Sequence, residues 1–397
     1  MKINELEIHN INSITSLQLK FQPGVNILCG TNGTGKTTIL ECINNSFSTR
    51  KYSRSGIRRT VDSIESSYSI TVSEEQFYTY FFETQDQEND LFRPDKFQSD
   101  GKIESDKFIY QKITQRNPNL RPLVLGENGR PRVMSPFDLI KGWFYRCYFQ
   151  KKDFTEDKYK NLVLAKRVFS QLDPNVTFND AIERTETQGS RNSVRVIEIM
   201  VETPKGIINM DFLSSGYKAC FSILIGIIRS IEETNHMAVE SFDGIVLIDE
   251  IDLHLHPEWQ SKIVDILKWL IPNAQIIITT HSPHVIQNAS PGEIIPLGID
   301  ENNRMFVRNL PESNEYGYQG WTIEEILVYV MGLSDPKSKI FREKLKKFEQ
   351  ALDDENIKDI KENYKALSSM IHPRNSLGAL LRIQAEEFFE DDKEEYE

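Results

Sequence analysis

The chain has 397 residues, 39% of them hydrophobic and 27% charged, with a formal net charge of −12. This length allows two domain-sized units or one head with insertions, and the acidic balance excludes a uniformly basic surface of the kind that coats duplex DNA. With no run of roughly 20 apolar residues, no signal-peptide core in MKINELEIHN and no CxxC pair among Cys29, Cys42, Cys147 and Cys220, a cytoplasmic chain with reduced thiols and no membrane partner is expected.

Ile3, Leu6 and Ile8, then Leu17, Leu19 and Phe21, alternate with polar residues and predict two strands joined around residues 10–16. Gly24–Cys29 reads as a buried strand, followed by a glycine-rich turn and a helix over Thr37–Ser46. From about residue 50 to 190 the pattern loosens. Residues 84–135 are polar and proline-dotted, whereas 136–172 read as helical with Phe137, Leu139, Ile140, Trp143, Phe144 and Tyr148 on one face. Ser193–Val201 and Gly206–Phe212 predict a hairpin, and Lys218–Glu232 a helix. Ile245–Ile248 and Ile276–Ile278, separated by a helix over about His256–Leu270, predict a βαβ unit with parallel strands. Helical periodicity follows at Trp321–Met331, Pro336–Ala351, Ile357–Met370 and Ser376–Phe389, before an acid-rich tail. The expected organisation is a head formed by residues 1–50 and 190–310, an insertion over 51–189, and a helical region over 311–397.

Four sequence elements carry chemistry. Gly30-Thr31-Asn32-Gly33-Thr34-Gly35-Lys36-Thr37, with Thr38 beside it, fits G-x-x-x-x-G-K-[ST] between a strand and a helix. Glycines let backbone N–H groups wrap phosphates, and the helix N-terminus adds partial positive charge. Lys36 is then expected on the β- and γ-phosphates of ATP and Thr37 on Mg²⁺. Ile245-Val246-Leu247-Ile248 delivers Asp249 and Glu250 from a buried strand, an expected Mg²⁺ carboxylate and an expected water-polarising base. Leu213-Ser214-Ser215-Gly216-Tyr217 opens a helix with small residues suited to a γ-phosphate, or is a plain N-cap. Thr279-Thr280-His281-Ser282 ends the next strand, placing His281 as a phosphate-sensing side chain.

Together these elements resemble the ABC ATPase superfamily in its SMC, RecF and OLD-like branch. Leu213–Tyr217 resembles the LSGGQ signature, with Ser215 and Tyr217 departing from it. Asp249–Pro257 resembles the Walker B segment and D-loop, and Thr280–Pro283 the H-motif. The resemblance implies an α/β fold, an ABC-type P-loop head with a mixed or parallel sheet flanked by helices, a helical and irregular insertion, and a C-terminal helical region. It also implies heads paired in a homodimer or higher oligomer, with ATP between one P-loop and the partner's Ser214, Ser215 and Gly216. Asp252 would then lie at the dimer seam. A Q-loop glutamine should follow the first helix, and Gln150 is one candidate. The same motifs account for three of the four histidines of His254-x-His256 and His281-x-x-His284, which otherwise invite a metal reading.

No heptad run is long enough for SMC arms, and residues 290–397 offer no Toprim carboxylate pattern, so no nuclease activity is expected in this chain. A compact head with a lid-like insertion and a short helical C-terminus is similar to the Septu-type ATPases of bacterial antiphage systems, including retron-linked ones. Gly142-Trp143-Phe144 and Trp321–Leu327 add to that resemblance. It implies a sensor and regulator working beside a separate HNH-type nuclease subunit. The alternatives are a RecF- or SMC-like DNA-repair or DNA-binding ATPase and a transporter nucleotide-binding subunit. Arg50, Lys51, Arg54, Arg58 and Arg59 form a basic cluster that could meet nucleic acid, a nucleotide phosphate or only solvent.

Overall fold

Alternating side chains build the first sheet and continuous apolar runs build the second. The computed structural model describes residues 1–47, 57–60, 65–82, 96–99, 103, 105–112, 123–125, 136–149, 155–188, 192–310, 314–334, 336–386 and 388. In chain order its strands are β1 (Ile3–Ile11), β2 (Ile14–Lys20), β3 (Val25–Gly30), β4 (Ser67–Val72), β5 (Glu75–Phe82), β6 (Lys96–Ser99), β7 (Phe108–Gln111) and β8 (Leu123–Leu125). They continue as β9 (Thr177–Gln188), β10 (Asn192–Thr203), β11 (Gly206–Asn209), β12 (Ile245–Ile248), β13 (Gln275–Thr279), β14 (Ile294–Ile299) and β15 (Met305–Val307). The helices are α1 (Lys36–Phe47), α2 (Pro136–Phe149), α3 (Glu156–Leu172), α4 (Ser215–Asn235), α5 (Pro257–Gln260), α6 (Ile263–Leu270), α7 (Pro283–Gln287) and α8 (Ile323–Glu325), then α9 (Lys339–Asp353), α10 (Ile357–Met370) and α11 (Ser376–Glu386).

The central sheet runs β15-β14-β3-β13-β12-β7, with β14, β3, β13, β12 and β7 parallel and β15 antiparallel at the edge. Val25–Gly30, Ile245–Ile248 and Gln275–Thr279 are buried at every position, the pattern of strands covered on both faces. An antiparallel sheet, β2-β1-β4-β5-β6, packs its apolar face on α1 through Leu6, Ile8, Leu17, Ile39 and Ile43. Gln275 ties the two sheets: its Oε1 accepts from Ile3 N at 2.7 Å, and its Nε2 donates to Ile3 O at 2.8 Å and Gln22 O at 2.9 Å. A smaller sheet is built on β10, which pairs β9 along its length and β8 and β11 with its two halves.

Several strands within 51–189 are therefore built into the head's own sheets: β4, β5 and β6 extend the β1–β2 sheet, and β7 forms the far edge of the central one. The helix expected over His256–Leu270 is two helices, α5 and α6, separated at Ser261 and Lys262. In place of a regular helix over Trp321–Met331, α8 continues as one wide π turn, with Met331 N donating to Ile326 O at 2.9 Å.

Contacts divide the chain into two units, Met1–Gly332 and Leu333–Glu397, a boundary later than the expected start of the helical region at 311. In the second unit α9, α10 and α11 bury Phe348, Ala351, Ile360, Leu367, Leu381 and Ala385. Ser338 and Asn356 cap the first two of these helices. No described helix is long and apolar enough to cross a membrane.

Candidate nucleotide-binding site

The glycine loop leaves β3 at the C-terminal edge of the central sheet, where α/β folds gather ligands. Gly30 holds φ +144°, and a Cβ there would sit 2.4 Å from Leu297 O on β14. Gly35, at φ +67°, is pressed by the Met305 side chain, so neither position accepts a larger residue without distortion. Thr34 Oγ1 donates to Thr31 O at 2.9 Å and closes the loop. Lys36 is buried, and its Nζ donates to Gly30 O at 3.0 Å, Thr31 O at 2.9 Å and Thr34 Oγ1 at 3.2 Å. Asn32, Gly33 and Thr37 are exposed around it. The first turn of α1 carries no acid, so nothing competes with an anion for its N-terminus. Asn12 Nδ2 donates to Thr38 Oγ1 at 3.0 Å, fixing the helix start to the β1–β2 turn.

Two strands away, β12 ends at Asp249 and Glu250. Thr279 Oγ1 donates to Asp249 Oδ1 at 2.7 Å and accepts from Glu250 N at 2.6 Å, so one buried hydroxyl sets both carboxylate-bearing residues. Glu250 turns with φ +46°, a left-handed setting held by that bond. Thr37 Oγ1 lies 3.5 Å from each Asp249 oxygen. This opposed hydroxyl and carboxylate would suit one hard cation together with phosphate oxygens. Among the described residues, no group of three or more His, Cys, Asp or Glu side chains is placed to hold a metal, so the histidine pairs do not form such a site.

Burial lowers the Lys36 ammonium from its ordinary value, while Glu250, Asp252 and Asp249 favour its charged form. Burial, reinforced by the Lys36 charge, also lowers His281, and the same three carboxylates oppose that shift. The P-loop lysine, the Asp249-Glu250 pair and His281 therefore share one electrostatic neighbourhood, with the imidazole neutral at pH 7. Asp252 faces its own chain: Oδ1 accepts from Thr280 Oγ1 at 2.6 Å and from His281 N at 3.1 Å. Ser282 Oγ donates to Gln260 Oε1 at 2.6 Å, and Gln260 Nε2 donates to Leu255 O at 2.9 Å, completing a latch between the segments after β12 and β13.

Ser214, Ser215 and Gly216 stand apart from this group. Ser214 caps α4 by accepting from Tyr217 N at 3.4 Å, and both serines are exposed. Gly216 is covered by Trp259, whose Cζ3 would lie 2.5 Å from an added Cβ. Tyr217 meets the same indole edge-on at 4.6 Å between centroids. Among the described residues, none of the three shares a hydrogen bond with residues 30–38.

Gln150, Arg50, Lys51 and Arg54 lie outside the described residues. Arg58 and Arg59 run beside the β1–β2 turn, where Arg58 N donates to Asn12 Oδ1 at 2.9 Å. The glutamine brought beside the metal-binding candidate is Gln111, unmarked in the sequence reading. It ends β7 next to β12, its O accepts from Asp249 N at 3.3 Å, and its side chain approaches Gly226 of α4. The available signal was Phe108-Ile109-Tyr110-Gln111, a short apolar run ending in glutamine.

Over 408 residues the chain is 37% identical to the Septu protein PtuA of Bacillus thuringiensis, covering 97% of this chain and 98% of that one. The chain belongs to the Septu PtuA family. Residues 25–287 of this PtuA-family chain also match the family described as "AAA domain, putative AbiEii toxin, Type IV TA system". It is 30% identical over 164 residues to the Retron Ec83 probable ATPase of Escherichia coli, a match covering 37% of this chain and 28% of that protein. Among solved structures, the SMC head domain from Thermotoga maritima aligns over 79% of this chain and 100% of its own, with 12% identity and a TM-score of 0.45. The fold of this PtuA-family chain is that of an α/β P-loop ATPase domain, and its site is one for nucleotide.

Proposed function

We propose that this PtuA-family chain is the ATP-hydrolysing regulatory subunit of an antiphage defence system, working through ATP-dependent pairing of two copies and controlling a separate HNH-type nuclease. The observation that carries the pairing is the separate placement, within one chain, of the two elements proposed to face phosphate. The P-loop leaves β3, whereas α4 packs against β7, three strands along the central sheet, and among the described residues Ser214, Ser215 and Gly216 share no hydrogen bond with residues 30–38. Exposed Ser214 and Ser215 are suited to the nucleotide of a second copy. The whole-length match to a Septu PtuA and the retron ATPase likeness support the defence role.

In this reading residues 30–35 cradle the phosphates with backbone N–H groups, and Lys36 leaves its loop oxygens to offset charge developing on the γ-phosphoryl. Mg²⁺, held by Thr37 and Asp249, supplies further charge compensation when bound. Glu250 orients and polarises the attacking water. Neutral His281 contacts the γ-phosphate from the strand beside Asp249, and Ser214, Ser215 and Gly216 close the site from the partner copy.

ATP turnover per chain is expected to rise with protein concentration and to saturate as pairs form; a rate per chain that stays constant under dilution rejects the composite site. Substituting His281→Ala is expected to lower kcat about 10- to 100-fold with KM within about 3-fold. Because the imidazole stays neutral to lower pH than usual, the acid limb of the wild-type pH profile is expected below about 6.5. For the partner, affinity purification of the tagged chain from its native host should recover an HNH nuclease; recovery of a membrane permease instead would redirect the assignment to transport.

A further inference from the structure

The signature segment is closed on itself and tied from outside by one buried lysine. Asp211 lies in the single turn Met210–Phe212 just before Leu213, with its N–H donated to Asn209 Oδ1 at 2.9 Å. Lys218, one turn into α4, sends Nζ back to Asp211 O at 3.0 Å, while its own N–H goes to Ser214 O at 3.1 Å. Residues 211–218 thus form a loop cross-linked at its ends, with Ser214 and Ser215 exposed at its crest.

Lys141 of α2 reaches this loop and pairs with the Asp211 carboxylate; its side chain is 1% exposed and that of Asp211 10%. Burial pushes the Asp211 carboxyl upward, and the Lys141 charge draws it back. Desolvation offsets most of what a buried ion pair gains, so net stability is a poor account of this contact and geometry a better one. The pair links the signature to a helix, α2, that is also tied to the last turns of α4, where α3 joins it. Trp143 Nε1 of α2 donates to Glu232 Oε1 at 3.0 Å, and Asn161 Nδ2 of α3 donates to Glu232 Oε2 at 3.1 Å.

We propose that Lys141 is a positioning residue for the signature loop, making the setting of Ser214 and Ser215 depend on α2 through Asp211. This rests on the composite-site reading. Its consequence is a mechanical route into the ATP site: a protein pressing on the α2–α3 layer changes turnover without touching nucleotide.

The test measures turnover against protein concentration and, separately, binding of a fluorescent methylanthraniloyl derivative of ATP to dilute protein. Lys141→Met is expected to bind that probe within about twofold of wild type, to lose roughly 10- to 100-fold in kcat, and to need more protein for half-maximal rate. Arg146→Ala, which removes an exposed pair with Glu233 on the same helix, is expected to change none of these. If Lys141→Met does not fold, Asp211→Asn, which keeps a hydrogen-bond acceptor but removes the charge, is measured in the same way with a smaller loss expected. A folded variant with wild-type kcat overturns the proposal, as does equal loss of probe binding and turnover. A wild-type rate per chain independent of concentration rejects the composite site instead, and the dilution series on wild type alone reveals it.

Discussion

Substituting Glu250→Gln is expected to lower ATP turnover by roughly 10²- to 10⁴-fold while leaving ATP bound. The amide keeps the size of the side chain and the αL turn at φ +46°, and the bond from residue 250 N to Thr279 Oγ1 is a backbone one that survives the change. What is lost is the negative charge proposed to polarise water. Lys36, Thr37 and Asp249 are untouched, so on the proposed mechanism phosphate contacts are expected to remain and the copies to stay paired without hydrolysis. Light scattering with ATP should then show dimers in the variant at concentrations where the wild type returns to monomer. Wild-type turnover by the variant would remove Glu250 from the proposed chemistry.

The second large effect is expected at Gly30→Ala. An added Cβ would fall 2.4 Å from Leu297 O and 3.2 Å from Thr34 Oγ1, at a φ of +144° that side-chain-bearing residues avoid. Relief requires either parting β3 from β14 or tilting the loop, and tilting removes Gly30 O and Thr31 O from Lys36 Nζ. A cost of about 2–5 kcal/mol in unfolding free energy is expected. Nucleotide affinity should drop by at least about tenfold, since loop geometry is the binding site. Gly33→Ala is the internal comparison: φ is +83°, but nothing lies within 4 Å of the added Cβ, so only strain of about 1 kcal/mol applies. Denaturant unfolding and nucleotide titration of both variants check the contrast, and equal behaviour would show that contact with Leu297 O is unimportant.

Local chemistry was legible where few residues specify it. The P-loop between β3 and α1, and the parallel pair β12–β13, follow from glycine spacing and β-branched runs, and the structure has these elements. Longer-range features left weaker traces. Four-residue β7 sits in a polar stretch, and its neighbour β12 is distant in sequence, so nothing local marks Gln111 as adjacent to Asp249. In β14, Pro296 argues against a strand on its face, yet β14 lies beside β3 with its Pro296 O accepting from Arg308 N at 2.8 Å. The break between α5 and α6 and the packing of Trp259 over Gly216 are tertiary facts with no periodicity to announce them. Lys141 is a charge among the apolar residues of α2, and only the fold supplies its partner Asp211.

The side chain of Gln275 has a consequence for how nucleotide would be met. Its single amide both gives and takes across the junction of two sheets, and an acid in its place would retain the accepting half and forfeit the donating one. With that junction fixed, the glycine loop is strung between walls already in register before anything arrives. Its conformational freedom is surrendered during folding, so an incoming triphosphate encounters ordered N–H groups and association carries little further entropic penalty at the loop.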